Sequence, residues 1–199
     1  MEYDFRLKII LLGATYIGKT SILNHYIDGY YNEPSSWTPG AQNSEKVIEM
    51  KDGKKVGLII MDTQGYYVIN RPSFFLRYYN DADGIILVYD VTNQKSFEDL
   101  IGLINYLKKE ISMEIPIYLV GNKIDCKEER EVAKKKGEEL AKCFGFMFNE
   151  CSAKTGENVD LIFNKLINNI YDNYTEIIEF KEKKKEEEKR KKEKEKKKK

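Results

Sequence analysis

Short aliphatic runs alternate with longer stretches of mixed polarity along this chain, and the two kinds of run have different periods. Phe5 to Leu12 is apolar and β-branched and stops at Gly13, which reads as a buried strand. From Thr20 to Ile27 the apolar positions Ile22, Leu23, Tyr26 and Ile27 fall at helical spacing, so a strand, a glycine-bounded loop and a helix follow one another. A polar stretch from Tyr30 to Asn43 separates this unit from two expected strands, Glu45 to Lys51 and Lys54 to Met61, joined by the hairpin signal Asp52-Gly53. Beyond Asp62, strands at Gly84–Asp90, Ile115–Gly121 and Phe146–Cys151 alternate with amphipathic helices near 95–111, 127–144 and 158–174. The pattern predicts an α/β fold: a mostly parallel six-stranded sheet with helices on both faces. Ligands of such sheets bind beyond the carboxyl ends of the strands.

Charge divides the chain into two parts. Residues 181–199 are all Lys, Arg or Glu, with thirteen positive and six negative, and so carry +7. Subtracting that from the net +1 of the chain leaves −6 over residues 1–180, a body unsuited to binding nucleic acid. One domain over 1–175 and a Lys/Glu-rich tail over 176–199, disordered or extending the last helix, is the expected organisation. Cys126, Cys143 and Cys151 are odd in number and lack metal-ligand spacing, which fits a reducing cytoplasmic compartment. The start Met1-Glu2-Tyr3-Asp4 has neither the basic and apolar regions of a secretion signal nor the glycine needed for myristoylation.

Four motifs lie at expected strand ends. Gly13-Ala14-Thr15-Tyr16-Ile17-Gly18-Lys19-Thr20 fits G-x-x-x-x-G-K-[ST] between a strand and a helix. Backbone N–H groups of such a loop cradle phosphates, its lysine reaches the β- and γ-phosphates, and its threonine offers a hydroxyl to Mg²⁺. Asp62-Thr63-Gln64-Gly65 places a carboxylate where it can approach the metal through water, and Gly65 can turn an N–H to the γ-phosphate. In Asn122-Lys123-Ile124-Asp125 the last carboxylate can accept from the N1–H and amino group of guanine, a donor pair that adenine lacks. Ser152-Ala153-Lys154 then supplies a backbone N–H for the guanine O6 and an ammonium stem over the ring.

Together these motifs resemble the Ras superfamily of small GTPases, the Rab branch in particular, over about residues 5–175. The stretch Tyr78 to Thr92, with Tyr89-Asp90-Val91-Thr92 at its end, and the pair Ser96-Phe97 look Rab-like as well. The resemblance implies the P-loop NTPase fold and a cytoplasmic GTP-binding switch in vesicle trafficking or signalling, peripheral on endomembranes. It implies effector, exchange-factor and activating partners at the switch regions, and a monomer. It also assigns Thr38 to Mg²⁺ and the γ-phosphate, Tyr31 to packing on the guanine and Ser21 to the α-phosphate. Lys19, Thr38 and Gly65 are then the catalytic set, and Thr20, Thr38 and Asp62 the Mg²⁺ set.

Several positions depart from that pattern. The family's water-orienting glutamine follows the D-x-x-G glycine, whereas Tyr66 stands here, and a phenol cannot offer an amide's donor and acceptor together. Thr15 and Tyr16 are bulky for their places in the loop, Met61 replaces a usual tryptophan, and Pro72 interrupts the expected switch II helix. Slow hydrolysis is expected, with a non-cycling nucleotide-bound scaffold as the alternative. The chain has no cysteine after Cys151 and ends in four lysines, so lipid attachment at the tail is not expected. Weak contact of the basic tail with anionic membranes is the alternative to a simply solvated tail.

Overall fold

The computed structural model describes residues 3–31, 40–65, 81–110 and 115–175. Six strands form one sheet: β1 Phe5–Leu12, β2 Ala41–Glu49, β3 Lys55–Thr63, β4 Gly84–Asp90, β5 Ile117–Asn122 and β6 Met147–Glu150. Their order is β2-β3-β1-β4-β5-β6, with β2 antiparallel to β3 and every other pair parallel. Four helices are described: α1 Lys19–Asp28, α2 Gln94–Glu110, α3 Lys134–Phe144 and α4 over residues 159–175.

Alternation along β1 splits the core in two. Leu7, Ile9 and Leu11 pack with Ile22, Leu23 and Tyr26 of α1 and with Ile162, Phe163 and Leu166 of α4. Ile10 and Leu12 pack on the other face with Phe97, Leu100 and Ile104 of α2 and Ala141 of α3. Successive side chains of a strand point to opposite faces, so burial on both sides accounts for the continuous apolar run from Ile9 to Leu12 in β1 and for that of β4, while the exposed Arg6 and half-buried Lys8 interrupt the start of β1. Tyr26 stacks on Phe163 with ring centroids 3.9 Å apart, joining α1 to α4. Lys46 of β2 caps that stack: its ammonium lies 4.1 Å from the Tyr26 ring centroid and donates to the Tyr26 carbonyl at 2.6 Å.

Two elements begin four or more residues from where they are expected, and the other strands shift by two residues at most. The helix expected from 127 begins at Lys134, because the preceding segment is held as a loop. The Glu131 and Val132 amides both donate to the Val91 carbonyl, and Arg130 forms a bidentate pair with Glu150. The strand expected from Glu45 begins at Ala41, pairing with Thr63. Its early residues are exposed on the sheet edge, so hydrophobic alternation is missing where pairing persists. The Asp52-Gly53 turn lies where expected, with Gly53 at φ +80° and its amide donating to the Met50 carbonyl. Among the described residues no helix is long and apolar enough to cross a membrane. The tail beyond Thr175 lies outside the described residues.

Candidate functional site

The loop between β1 and α1 closes around its own lysine. Lys19 is 6% exposed, and its ammonium donates to the Gly13 carbonyl at 3.1 Å and to the Ala14 carbonyl at 2.7 Å. Burial pulls its pKa from 10.5 down to about 8, and the nearby Asp62 carboxylate opposes that fall. At the start of α1, Gly18 adopts φ +90° and no side chain caps the helix, so its first amides face the loop with the positive end of the helix dipole behind them. A buried cation and uncapped amides fit a bound polyphosphate. Ile17 and Ser21 are buried and anchor the loop's flanks, whereas the Tyr16 side chain is 75% exposed.

Beside this loop Thr20 Oγ1 donates to Asp62 Oδ2 at 2.5 Å, joining the first turn of α1 to the penultimate residue of β3. Among the described residues no group of three or more His, Cys, Asp or Glu gathers. A hydroxyl and one carboxylate suit Mg²⁺, which keeps several waters and takes its remaining oxygens from phosphates. Gly65 presses on the loop from the same side: a Cβ built there would lie 2.2 Å from the Thr15 nitrogen. Any larger residue would therefore displace backbone.

The guanine-reading candidates occupy the neighbouring strand ends. Asn122, the last residue of β5, is 1% exposed; its Nδ2 donates to the Ile17 carbonyl at 2.9 Å, and its Oδ1 accepts from the Ala153 amide at 3.1 Å. Ser152 Oγ donates to Asp125 Oδ1 at 2.6 Å and accepts from the Thr155 amide at 3.0 Å, which fixes the carboxylate. Lys123 reaches the Tyr16 carbonyl at 3.1 Å and forms an ion pair with Asp90 at 2.5 Å. Lys154 is exposed, and Tyr31 is half-buried three residues past the end of α1. Thr38 and Tyr66 lie outside the described residues.

One carboxylate of the site was absent from the sequence reading. Asp90 ends the expected strand Gly84–Asp90 and lies in the Rab-like stretch but belongs to none of the four motifs, yet it is 4% exposed and touches Lys123. Its position at the same sheet edge as Gly13, Asp62 and Asn122 was the available signal.

A sequence profile of the Ras family matches residues 8–172. The chain belongs to the Ras family. The chain is 40% identical over 168 residues to the Ras-related protein Rab-12 of Mus musculus and of Homo sapiens, which covers 84% of this chain and 68% of each relative. It is 36% identical over 168 residues to the Ras-related protein Rab-8B of Homo sapiens, covering 84% of this chain and 80% of that relative. This Ras-family member is thus a Rab-like small GTPase and, at that level, a GTP-binding switch. Guanine nucleotide with Mg²⁺ is the ligand class of its family, and regulators and effectors are its family's partners.

Proposed function

We propose that this chain is a slowly hydrolysing, Rab-type trafficking switch whose nucleotide is held along the carboxyl edge of the sheet. The observation that carries this reading is the joining of the phosphate loop to both base-reading segments through the single amide of Asn122. Residues 13–18 offer backbone amides to the phosphates, Lys19 the buried ammonium, and Ser21 a position beside the α-phosphate. Asp125 and the Ala153 amide read the guanine edge, with Tyr31 and Lys154 flanking the ring. Thr20, Asp62 and Thr38 would hold Mg²⁺, which would supply positive charge against the charge that develops on the phosphates. Gly65 and Thr38 sense the γ-phosphate, so that its loss releases the switch segments from a partner.

Tyr66 is the reason for slow turnover. Its hydroxyl donates and accepts through one oxygen, whereas a carboxamide accepts on its oxygen and donates from a separate nitrogen, so the phenol does not span the attacking water and the γ-phosphate as the amide does. Nucleotide content after purification, followed by single-turnover hydrolysis, tests the reading. The purified protein should carry GDP or GTP, and Tyr66→Gln should raise the single-turnover rate by at least tenfold. A chain that holds no guanine nucleotide would refute the switch, while an unchanged rate in Tyr66→Gln would clear Tyr66 of the defect. Retention of intact GTP over many hours with no exchange would favour a fixed scaffold. In this reading residues 1–175 are the switch domain of a cytoplasmic monomer, and the tail over 176–199 makes at most weak salt-sensitive contact with endomembranes.

A further inference from the structure

The carboxyl end of β4 holds a buried charge that the nucleotide chemistry above leaves without a task. Both Asp90 oxygens are in use: Oδ1 accepts from the Thr92 amide at 2.8 Å and the Thr92 hydroxyl at 2.7 Å, and Oδ2 pairs with Lys123 at 2.5 Å. The main chain there is pinned as well. Ser96 Oγ accepts from the Asp90 amide at 3.0 Å and donates to the Asn93 carbonyl at 2.7 Å, while the Val91 amide donates to the Asn122 carbonyl. A carboxylate so enclosed and oriented presents its charge in one direction, towards Lys123.

Lys123 divides its ammonium between Asp90 and the Tyr16 carbonyl. The residues at the two ends of that second contact share an uncommon backbone. Tyr16 has φ +63° and Lys123 φ +71°, and with Asn158 they are the non-glycine residues of positive φ among those described. Such conformations persist only where surrounding contacts hold them. One ammonium therefore ties a strained residue of the phosphate loop to a strained residue of the base-reading segment, and a buried carboxylate aims that ammonium.

We propose that Asp90 is a positioning residue for nucleotide retention, acting through Lys123 to lock the phosphate loop against the guanine-reading segment. It touches no ligand itself. This rests on guanine nucleotide occupying the site as proposed above.

Release of a fluorescent GDP analogue, chased with excess GDP in the presence of Mg²⁺, measures the effect on the full chain. Asp90→Asn should speed release about tenfold, a loss of about 1.4 kcal/mol. Lys123→Gln should speed it at least as much. The double variant should release within twofold of Lys123→Gln alone, since the carboxylate then has no ammonium to aim. A merely structural Asp90 would instead multiply the two accelerations, and that result, or unchanged release in Asp90→Asn, overturns the proposal. Should Asp90→Asn fail to fold, Asp90→Glu keeps the charge but displaces it. It should accelerate release in the wild-type background and not in the Lys123→Gln background; equal acceleration in both would overturn the proposal. Wild-type protein that fails to bind the GDP analogue would remove the functional reading beneath, whereas tight wild-type binding with no coupling removes this inference alone.

Discussion

Replacing Lys19 by methionine should change stability in opposite directions with and without nucleotide. The fall of its pKa from 10.5 to about 8 by burial means that the folded, nucleotide-free protein disfavours the ammonium. That preference is worth roughly 3 kcal/mol. Methionine keeps the length of the stem and removes the charge, but it forfeits the bonds to the Gly13 and Ala14 carbonyls. At about 1 kcal/mol for each of those bonds, Lys19→Met should leave the nucleotide-free protein about 1 kcal/mol more stable at pH 7. For a domain of this size that is a rise of about 2–4 °C in Tm. With Mg²⁺ and GDP the order reverses, because wild type gains about 4 kcal/mol at a ligand concentration a thousand times Kd and the variant, lacking the phosphate-binding cation, does not. Thermal unfolding of EDTA-treated protein, then of the same protein with Mg²⁺ and GDP, reads both signs. The pH dependence follows from the same shift. Between about pH 8 and 10.5 the unfolded chain keeps the Lys19 proton that the folded chain has released, so nucleotide-free wild type should gain stability as pH rises through that window. Lys19→Met should lack that gain. A variant less stable than wild type without nucleotide would refute the reasoning and show that attraction to Asp62 outweighs burial.

Two further substitutions test the frame of the site. Gly18→Ala would place a Cβ 2.4 Å from Asn122 Nδ2 in a residue held at φ +90°; displacing Asn122 from the Ile17 carbonyl should weaken GDP binding about a hundredfold by calorimetric titration, roughly 2.7 kcal/mol. Arg130→Met leaves Glu150, whose side chain is 8% exposed, without its bidentate partner. It should cost about 2–3 kcal/mol in urea unfolding, somewhat below the value for a fully buried pair because the Arg130 side chain is 28% exposed.

The strands buried on both faces were legible because burial writes itself as aliphatic sequence, from Ile9 to Leu12 in β1 and from Ile85 to Val88 in β4, and both strands match their expected bounds. The polar start of β2 was not, since an edge strand with exposed side chains is specified by backbone pairing with β3, which leaves no periodic mark. The loop at 127–133 was read as helix because its composition is helix-compatible, and contacts with Val91, Gln94 and Glu150, distant in sequence, hold it otherwise. In the site, glycine and lysine at fixed spacing made the phosphate loop readable, and the structure gathers Gly13–Thr20, Asp62, Asn122, Asp125 and Ser152 at one edge. Asp90 escaped because its role lies in a long-range ion pair, and a lone Asp before Val-Thr has no motif of its own.

The position of β1 in the middle of the sheet has a consequence for biosynthesis. β1 precedes in the chain both of its neighbours, β3 on one side and β4 on the other. Its aliphatic residues therefore wait for some fifty to eighty further residues, several seconds at the usual rate of translation, before either neighbour exists. Asn122 and Ser152 emerge later still, so the nascent chain completes its sheet core before it possesses both halves of the guanine-reading edge. Ligand capture can then stabilise only a nearly finished domain, and it cannot shield the β1 segment while that segment waits for its neighbours.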